Sequence, residues 1–151
     1  MISVALLSTQ FPASTIITGS QSGSPCSPST YTSINDPSRN YNSTGSHGSC
    51  DNGYPFVTNG SGAWIRFEGS GGTKIPTWSI DINHCGAYLS VWSNSTLPAT
   101  VNIMTNITLC SNTMTLICPW VIRASVIYCP GNYYVYFLPS LPMCKARYCT
   151  A

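Results

Sequence analysis

Charged side chains are scarce in this sequence. Lys, Arg, Asp and Glu make up 7% of its 151 residues, whereas soluble domains usually carry about 25%. The six Lys and Arg are scattered and the formal net charge is +2, so no basic patch marks a nucleic-acid partner. Something other than surface charge must keep the protein soluble, or it is not meant to stay dispersed.

Long apolar runs are also missing. No segment reaches the ~20 uninterrupted apolar residues of a membrane-spanning helix, so no membrane span is predicted. No window shows a sustained helical period of apolar residues, and we therefore expect little helix.

Groups that could carry catalysis are few. The carboxylates are Asp36, Asp51, Glu68 and Asp81, and the histidines are His47 and His84. No Gly-x-Ser-x-Gly or His-Glu-x-x-His motif is present. We interpret the three aspartates as turn or cap residues and His84 as structural. The sequence therefore predicts no catalytic site, no cofactor and no metal centre.

Cysteine, by contrast, is abundant. The chain has eight cysteines at irregular spacings without a Cys-x-x-Cys pair, which favours disulfides over zinc and indicates an extracellular, secreted protein. Pairing all eight leaves no free thiol for catalysis. Three of them lie between Cys129 and Cys149, so this segment can be crosslinked to three other parts of the chain.

The pattern of apolar residues predicts a mainly β fold with short strands, long Ser- and Gly-rich loops and little helix. Alternation is plain from Val101 to Leu109, so one face of that strand should be buried. The predicted strands are Ala63–Glu68, Thr77–Ile82, Tyr88–Trp92, Val101–Leu109, Leu116–Tyr128 and Tyr133–Leu138.

Two segments at the start of the chain lack this pattern. Residues 1–22 contain no cysteine and are either a remnant of a signal peptide or two extended segments broken at Pro12. The missing basic n-region favours the second interpretation. Residues 20–62 are rich in turn residues, and the Ser and Thr around Pro25 and Pro28 are either O-glycan acceptors or a solvated loop.

Four Asn-x-Ser/Thr sequons offer sites for N-glycans. They begin at Asn42, Asn59, Asn94 and Asn106, in a chain already argued to be secreted. Attached glycans would explain how so few charges suffice for solubility. We expect Asn94 and Asn106 to be glycosylated and solvent-facing although Trp92 and Ile107 beside them turn inward, because alternate residues of a strand face opposite ways.

Several motifs, in the same order and at similar spacing, resemble the cysteine-rich domain of the uromodulin and pancreatic zymogen-granule glycoprotein family. They are Pro25-Cys26, residues 35–39, 62–72, 85–86, 92–98, 129–136, 141–144 and 148–150. The resemblance implies one such domain at residues 23–151, preceded by the extended segment 1–22. Two departures are Ser38, where the family usually has Trp, and two missing cysteines, one near Thr77 or Trp78 and one just before Cys118.

The resemblance also implies how the cysteines pair. The implied bridges are Cys26 with Cys129, Cys50 with Cys144, Cys85 with Cys149 and Cys110 with Cys118. The two missing cysteines are partners in the fuller version of the domain, so their joint absence leaves an even set.

Two classes of function follow. The first is a non-catalytic structural and glycan-displaying module, because Trp92 to Thr96 resembles the family's sequon that presents a glycan to bacterial adhesins. The second is a carbohydrate-binding module that uses exposed Trp64, Trp92 or Tyr side chains. Residues 1–22 are uncharged and β-prone, so we also expect them either to form an edge strand of their own domain or to extend into a neighbouring copy. The low charge favours the second, which would build a filamentous homo-polymer.

Overall fold

The computed structural model describes residues 24–56 and 62–151. Residues 1–22, the predicted N-terminal segment, and the sequon residue Asn59 lie outside this part. The strands are β1 (Thr32–Ile34), β2 (Ala63–Phe67), β3 (Leu89–Ser93), β4 (Met104–Ser111), β5 (Trp120–Cys129), β6 (Tyr133–Leu138) and β7 (Ala146–Tyr148), with one 3₁₀ turn at Pro37–Arg39.

The seven strands form one sheet in the order β1-β2-β6-β5-β4-β3-β7, curled into a half-barrel. The five strands from β2 to β3 run antiparallel to their neighbours. Each edge strand is parallel to its neighbour, β1 to β2 and β7 to β3. The predicted mainly β fold is confirmed.

The turn between β5 and β6 is the one that the sequence signals most clearly. Gly131 and Asn132 adopt φ of 99° and 63°, values that Gly and Asn tolerate better than other residues. The Asn132 N–H donates to the Cys129 carbonyl over 3.2 Å, and Cys129 pairs with Tyr133. This turn sets the register of β6, whose bounds match the prediction.

Alternate residues of the strands sort to opposite faces of the sheet. One face packs into the main core, to which Ile65, Val91, Leu109, Val126 and Tyr136 belong. The other face is covered by two smaller clusters. One cluster surrounds Trp64 and Cys129, and the other surrounds Trp92, Cys110 and Cys149.

Three disulfides lie in these two smaller clusters. Cys26–Cys129 ties the start of the described chain to the end of β5, Cys85–Cys149 joins the loop before β3 to the residue after β7, and Cys110–Cys118 closes the β4–β5 loop. These are three of the pairs implied by the resemblance. Cys50 and Cys144 are thiols with sulfurs 3.0 Å apart, so the fourth bridge stays a prediction.

The predicted strand Thr77–Ile82 is wrong. This segment lies across the sheet instead of pairing with it: the Pro76 carbonyl accepts from the Ser93 N–H over 2.8 Å, and the Ile80 carbonyl accepts from the Asn112 side chain over 3.0 Å. Its carbonyls thus find partners outside a ladder, and buried Ile80 covers the cluster around Trp92.

Two further differences concern strand lengths and edges. The strand predicted to begin at Val101 begins at Met104, and Val101 and Ile103 are exposed while Ile107 and Leu109 are buried. The edge strands β1 and β7 were not predicted. Each has three residues, too few for a recognisable alternation.

Candidate glycosylation site

The chain reaches Asn94 directly after β3, and its backbone is held firmly there. The Asn94 N–H donates to the Thr108 carbonyl over 2.9 Å. The Ser95 hydroxyl accepts from the Thr108 N–H over 2.9 Å and contacts the Thr108 hydroxyl at 3.0 Å. Buried Ser93 bonds to both the N–H and the carbonyl of Ser95. The first sequon residue is exposed on a loop that β4 fixes in place.

A shallow cleft of about 240 Å³ adjoins this loop. Thr96, the third residue of the sequon, lines the cleft together with Lys74, Trp78 and Tyr134. Trp78 is 46% exposed, and the hydrogen bond between Pro76 and Ser93 keeps the segment before it beside β3. A glycan on Asn94 would thus emerge beside an aromatic and a cationic side chain.

Asn106 lies within β4, on its solvent side. Its side-chain oxygen accepts from the Ser125 hydroxyl on β5 over 3.2 Å, which leaves the amide nitrogen, the atom that carries an N-glycan, available in the described structure. Ile107 beside it is 2% exposed. The exposed side chains of Asn94 and Asn106, beside buried Trp92 and Ile107, agree with the alternation expected from the sequence.

Asn42 is the third described sequon residue. Its side chain is exposed, and its N–H donates to the side-chain oxygen of Asn40 over 2.9 Å, just after the 3₁₀ turn. Asn59 lies outside the described residues.

The prediction that Trp64 or Trp92 forms an exposed sugar-stacking platform is wrong. Each is 5% exposed, because each lies on the outer face of its strand beneath a disulfide-bearing cluster. Trp64 packs edge-on against Phe137 at 5.2 Å between ring centroids. These aromatics fill the covering clusters and cannot contact a ligand.

The charged residues form a structural network that sequence reasoning missed. The Arg39 guanidinium binds both carboxylate oxygens of Asp51, at 2.6 and 2.7 Å, and both side chains are buried. Asp51 also accepts from the Tyr148 N–H over 2.9 Å. The expected turn role of Asp51 is therefore wrong, and a lone carboxylate in a turn-rich stretch gives no signal of a partner on a distant segment.

A second ion pair joins Arg147 of β7 to Asp36. Asp36 caps the 3₁₀ turn by accepting from the Ser38 N–H over 3.0 Å, as predicted. Burial alone would raise the pKa of Asp36, but the Ser38 hydrogen bonds and the Arg147 charge outweigh it and hold the pKa below its ordinary value. The carboxylate is therefore poised to stay ionised rather than to exchange protons.

The remaining titratable groups do not converge. Within residues 24–56 and 62–151, no three His, Cys, Asp or Glu lie close enough to hold a metal ion. His84 bonds through Nδ1 to the Tyr41 carbonyl over 2.8 Å. The lining of the cleft beside Asn94 includes no histidine or carboxylate among these residues. In the same ranges, the structure has no helix that could span a membrane.

Comparison with known proteins identifies relatives for most of the chain. It is 38% identical over 121 residues to human pancreatic secretory granule membrane major glycoprotein GP2, a match that covers 80% of this chain and 21% of the relative. The rat protein of the same name is 33% identical over 123 residues, which is 80% of this chain and 22% of the relative. Mouse uromodulin is 30% identical over 87 residues, which is 58% of this chain and 14% of that protein.

The chain therefore spans about a fifth of the length of the GP2 relatives that it matches. The family model for the cysteine-rich, uromodulin-like domain matches residues 65–150. This region includes most of β2 and all of β3 to β7, together with two of the three disulfides and the Asn94 and Asn106 sequons. The chain belongs to the family of uromodulin-like cysteine-rich domains.

Proposed function

We propose that the chain is a non-catalytic, secreted module that presents N-linked glycans to the extracellular space, with Asn94 as the principal site. The observation that carries this proposal is the Asn94 loop itself. Its backbone is pinned to β4 through Ser95 and Thr108, while the Asn94 side chain is exposed. A glycan attached there would leave the protein from a fixed position.

The partner that fits this arrangement is a microbial adhesin that binds the terminal sugars of the glycan. The support is the likeness of residues 92–98 to the family's glycan-bearing sequon, together with relatives whose names describe glycoproteins. Because the site is fixed and the protein surface carries few charges, we infer that specificity resides in the glycan rather than in protein side chains.

The experiment is site-specific glycopeptide mass spectrometry on the chain secreted from mammalian cells, followed by adhesin binding. The Asn94→Gln variant should lose one glycan and most of the binding to a mannose-specific bacterial adhesin. Asn52→Gln is the matched control, since Asn52 is an exposed asparagine outside any sequon. An unmodified Asn94 in the wild-type chain, or equal adhesin binding by both variants, would refute the proposal.

Assembly into extracellular filaments by residues 1–22 is a second part of the proposal. The sequence argument is that an uncharged, β-prone segment can add a strand to a neighbouring copy. The acceptor edges in the described sheet are β1 and β7, of three residues each. Electron microscopy of the chain with and without residues 1–22 tests this part, because equal filaments from both would exclude strand donation by this segment.

A further inference from the structure

The loop between β4 and β5 exposes an unusual amount of apolar surface. We call residues 112–121 the β4–β5 tip. Five of its side chains are apolar and exposed: Met114 (78%), Ile117 (75%), Leu116 (59%), Val121 (59%) and Trp120 (39%). Contiguous apolar surface of this kind marks a site that contacts a protein or a membrane.

The backbone of the tip is closed on itself. The Thr113 N–H donates to the Leu116 carbonyl over 2.8 Å, and the Thr113 hydroxyl accepts from the Leu116 N–H over 3.1 Å. The Asn112 side chain accepts from the Cys118 N–H over 3.3 Å, and the Cys110–Cys118 disulfide locks the base. The tip therefore presents apolar side chains while many of its polar backbone groups are already bonded, which lowers the cost of removing it from water.

This closure disfavours a partner that adds a strand. Strand addition needs a row of free N–H and C=O groups, but β4 and β5 are paired with strands on both sides. The tip is the apex of a hairpin rather than a groove, so it can enter a deformable apolar medium without a complementary pocket. Both features favour a lipid surface over a second protein chain.

The charges around the tip fit the same partner. Residues 111–122 contain no charged side chain. Arg123 is exposed two residues beyond Val121, about 7 Å along the strand. Exposed Lys145 lies at the same end of the sheet, because its carbonyl accepts from the N–H of Leu89 at the start of β3. Asp81 is the carboxylate near this end, so the cations outnumber it by one.

We propose that the β4–β5 tip inserts into the interfacial layer of a phospholipid bilayer. The apolar residues span roughly 10 Å from the apex to Arg123, which matches the ~5–10 Å depth to which interfacial segments bury their apolar face. Trp120 lies at the base of the tip, where an indole suits the boundary between acyl chains and headgroups.

The proposed glycans do not obstruct this surface. Asn106 precedes Asn112 by six residues of β4 and its continuation, about 20 Å along an extended chain. Asn94 follows the end of β3 that pairs with Leu109, whereas the start of β3 points towards the tip. The domain would therefore rest on a membrane while its glycans face away from it. Insertion of the tip does not depend on the proposed glycan display.

The test is flotation of the secreted chain with vesicles of phosphatidylcholine, with and without phosphatidylserine. The Met114→Ser/Ile117→Ser variant should bind at least about tenfold more weakly than the wild type, because two exposed apolar side chains are lost. The matched control is Val101→Ser/Ile103→Ser, which removes exposed apolar side chains at the opposite end of β4. This control should bind like the wild type.

A second readout separates insertion from adsorption. Brominated acyl chains should quench tryptophan fluorescence in the wild type, and Trp120→Phe should remove most of that quenching. No vesicle binding by the wild type, or equal binding by tip and control variants, would overturn the proposal. It would also be overturned if the tip residues drove dimerisation in sedimentation velocity without vesicle binding, which would assign the surface to a second copy.

Discussion

At the scale of single residues, the buried pair of Arg39 and Asp51 shows how few charges this protein can misplace. The two side chains are 5% and 3% exposed, and the guanidinium lies 5.7 Å from the ring centroids of both Phe56 and Phe67. A buried charge is tolerated only with its partner. Arg39 is thus a packing residue as well as a counter-ion.

Replacing Arg39 with Met should lower the free energy of unfolding by about 3–5 kcal/mol, because Asp51 would remain buried without a counter-ion. Urea unfolding of the oxidised protein, followed by tryptophan fluorescence, measures the change. Glu68→Gln is the control, because Glu68 pairs with Arg66 at 3.7 Å with both side chains partly exposed, and its loss should cost less than about 1 kcal/mol. Equal effects of the two substitutions would contradict the prediction.

At the scale of elements, the sheet is positioned by backbone contacts between its connections. The segment after β2 contacts the residue that follows Thr150: the Thr73 N–H donates to the Ala151 carbonyl over 2.9 Å, and the Ala151 N–H donates to the Lys74 carbonyl over 2.8 Å. Gly72 precedes this contact with φ of 116°. A Cβ built on Gly72 would lie 2.6 Å from the backbone N of Ala151, so only glycine fits there.

Gly72→Ala should therefore destabilise the fold by roughly 2–5 kcal/mol, the sum of left-handed strain and a clash with rigid backbone. Gly131→Ala is the matched control: it has φ of 99°, but the nearest atom to an added Cβ is 3.4 Å away on the Tyr133 side chain. Strain alone should cost about 1–2 kcal/mol at Gly131. Thermal unfolding of both variants measures the difference, and a Gly131→Ala cost equal to or above that of Gly72→Ala would exclude the clash.

At the scale of the whole molecule, crosslinks between distant segments supply much of the order in a chain with long loops. The Cys26–Cys129 bridge spans 103 residues and Cys85–Cys149 spans 64, and long closed loops restrict the unfolded chain most. The Cys50 and Cys144 thiols are separated by 94 residues of chain, but their sulfurs are 3.0 Å apart. The hydrogen bond to Cys50 raises the pKa of the Cys144 thiol.

We predict that Cys50 and Cys144 form the fourth disulfide in the secreted protein. Closing this loop should stabilise the fold by about 4–5 kcal/mol in the chain-entropy model, and Cys50→Ser/Cys144→Ser should lose that amount. Peptide mapping without reduction should recover the linked peptides, and iodoacetamide should label no cysteine before reduction. Labelling of both thiols, or a Cys26–Cys50 bridge, would contradict the prediction.

The sequence by itself determined the fold class, the family and much of the sheet. Strand β6 followed from the Pro130-Gly131-Asn132 turn and the apolar run after it, since both signals are local. The exposure of Asn94 and Asn106 followed from strand alternation, which has a fixed period of two. The relatives confirm the family because its motifs occur in order along one chain.

Only the tertiary structure decided what depends on distant partners. It buried Trp64 and Trp92, paired Arg39 with Asp51, drew Thr77–Ile82 off the sheet and gave β1 and β7 neighbours to pair with. It also left the apolar residues of the β4–β5 tip uncovered, although their composition resembles that of a buried strand. Burial and pairing depend on which surfaces meet after the chain has closed, and local patterning carries no record of those meetings.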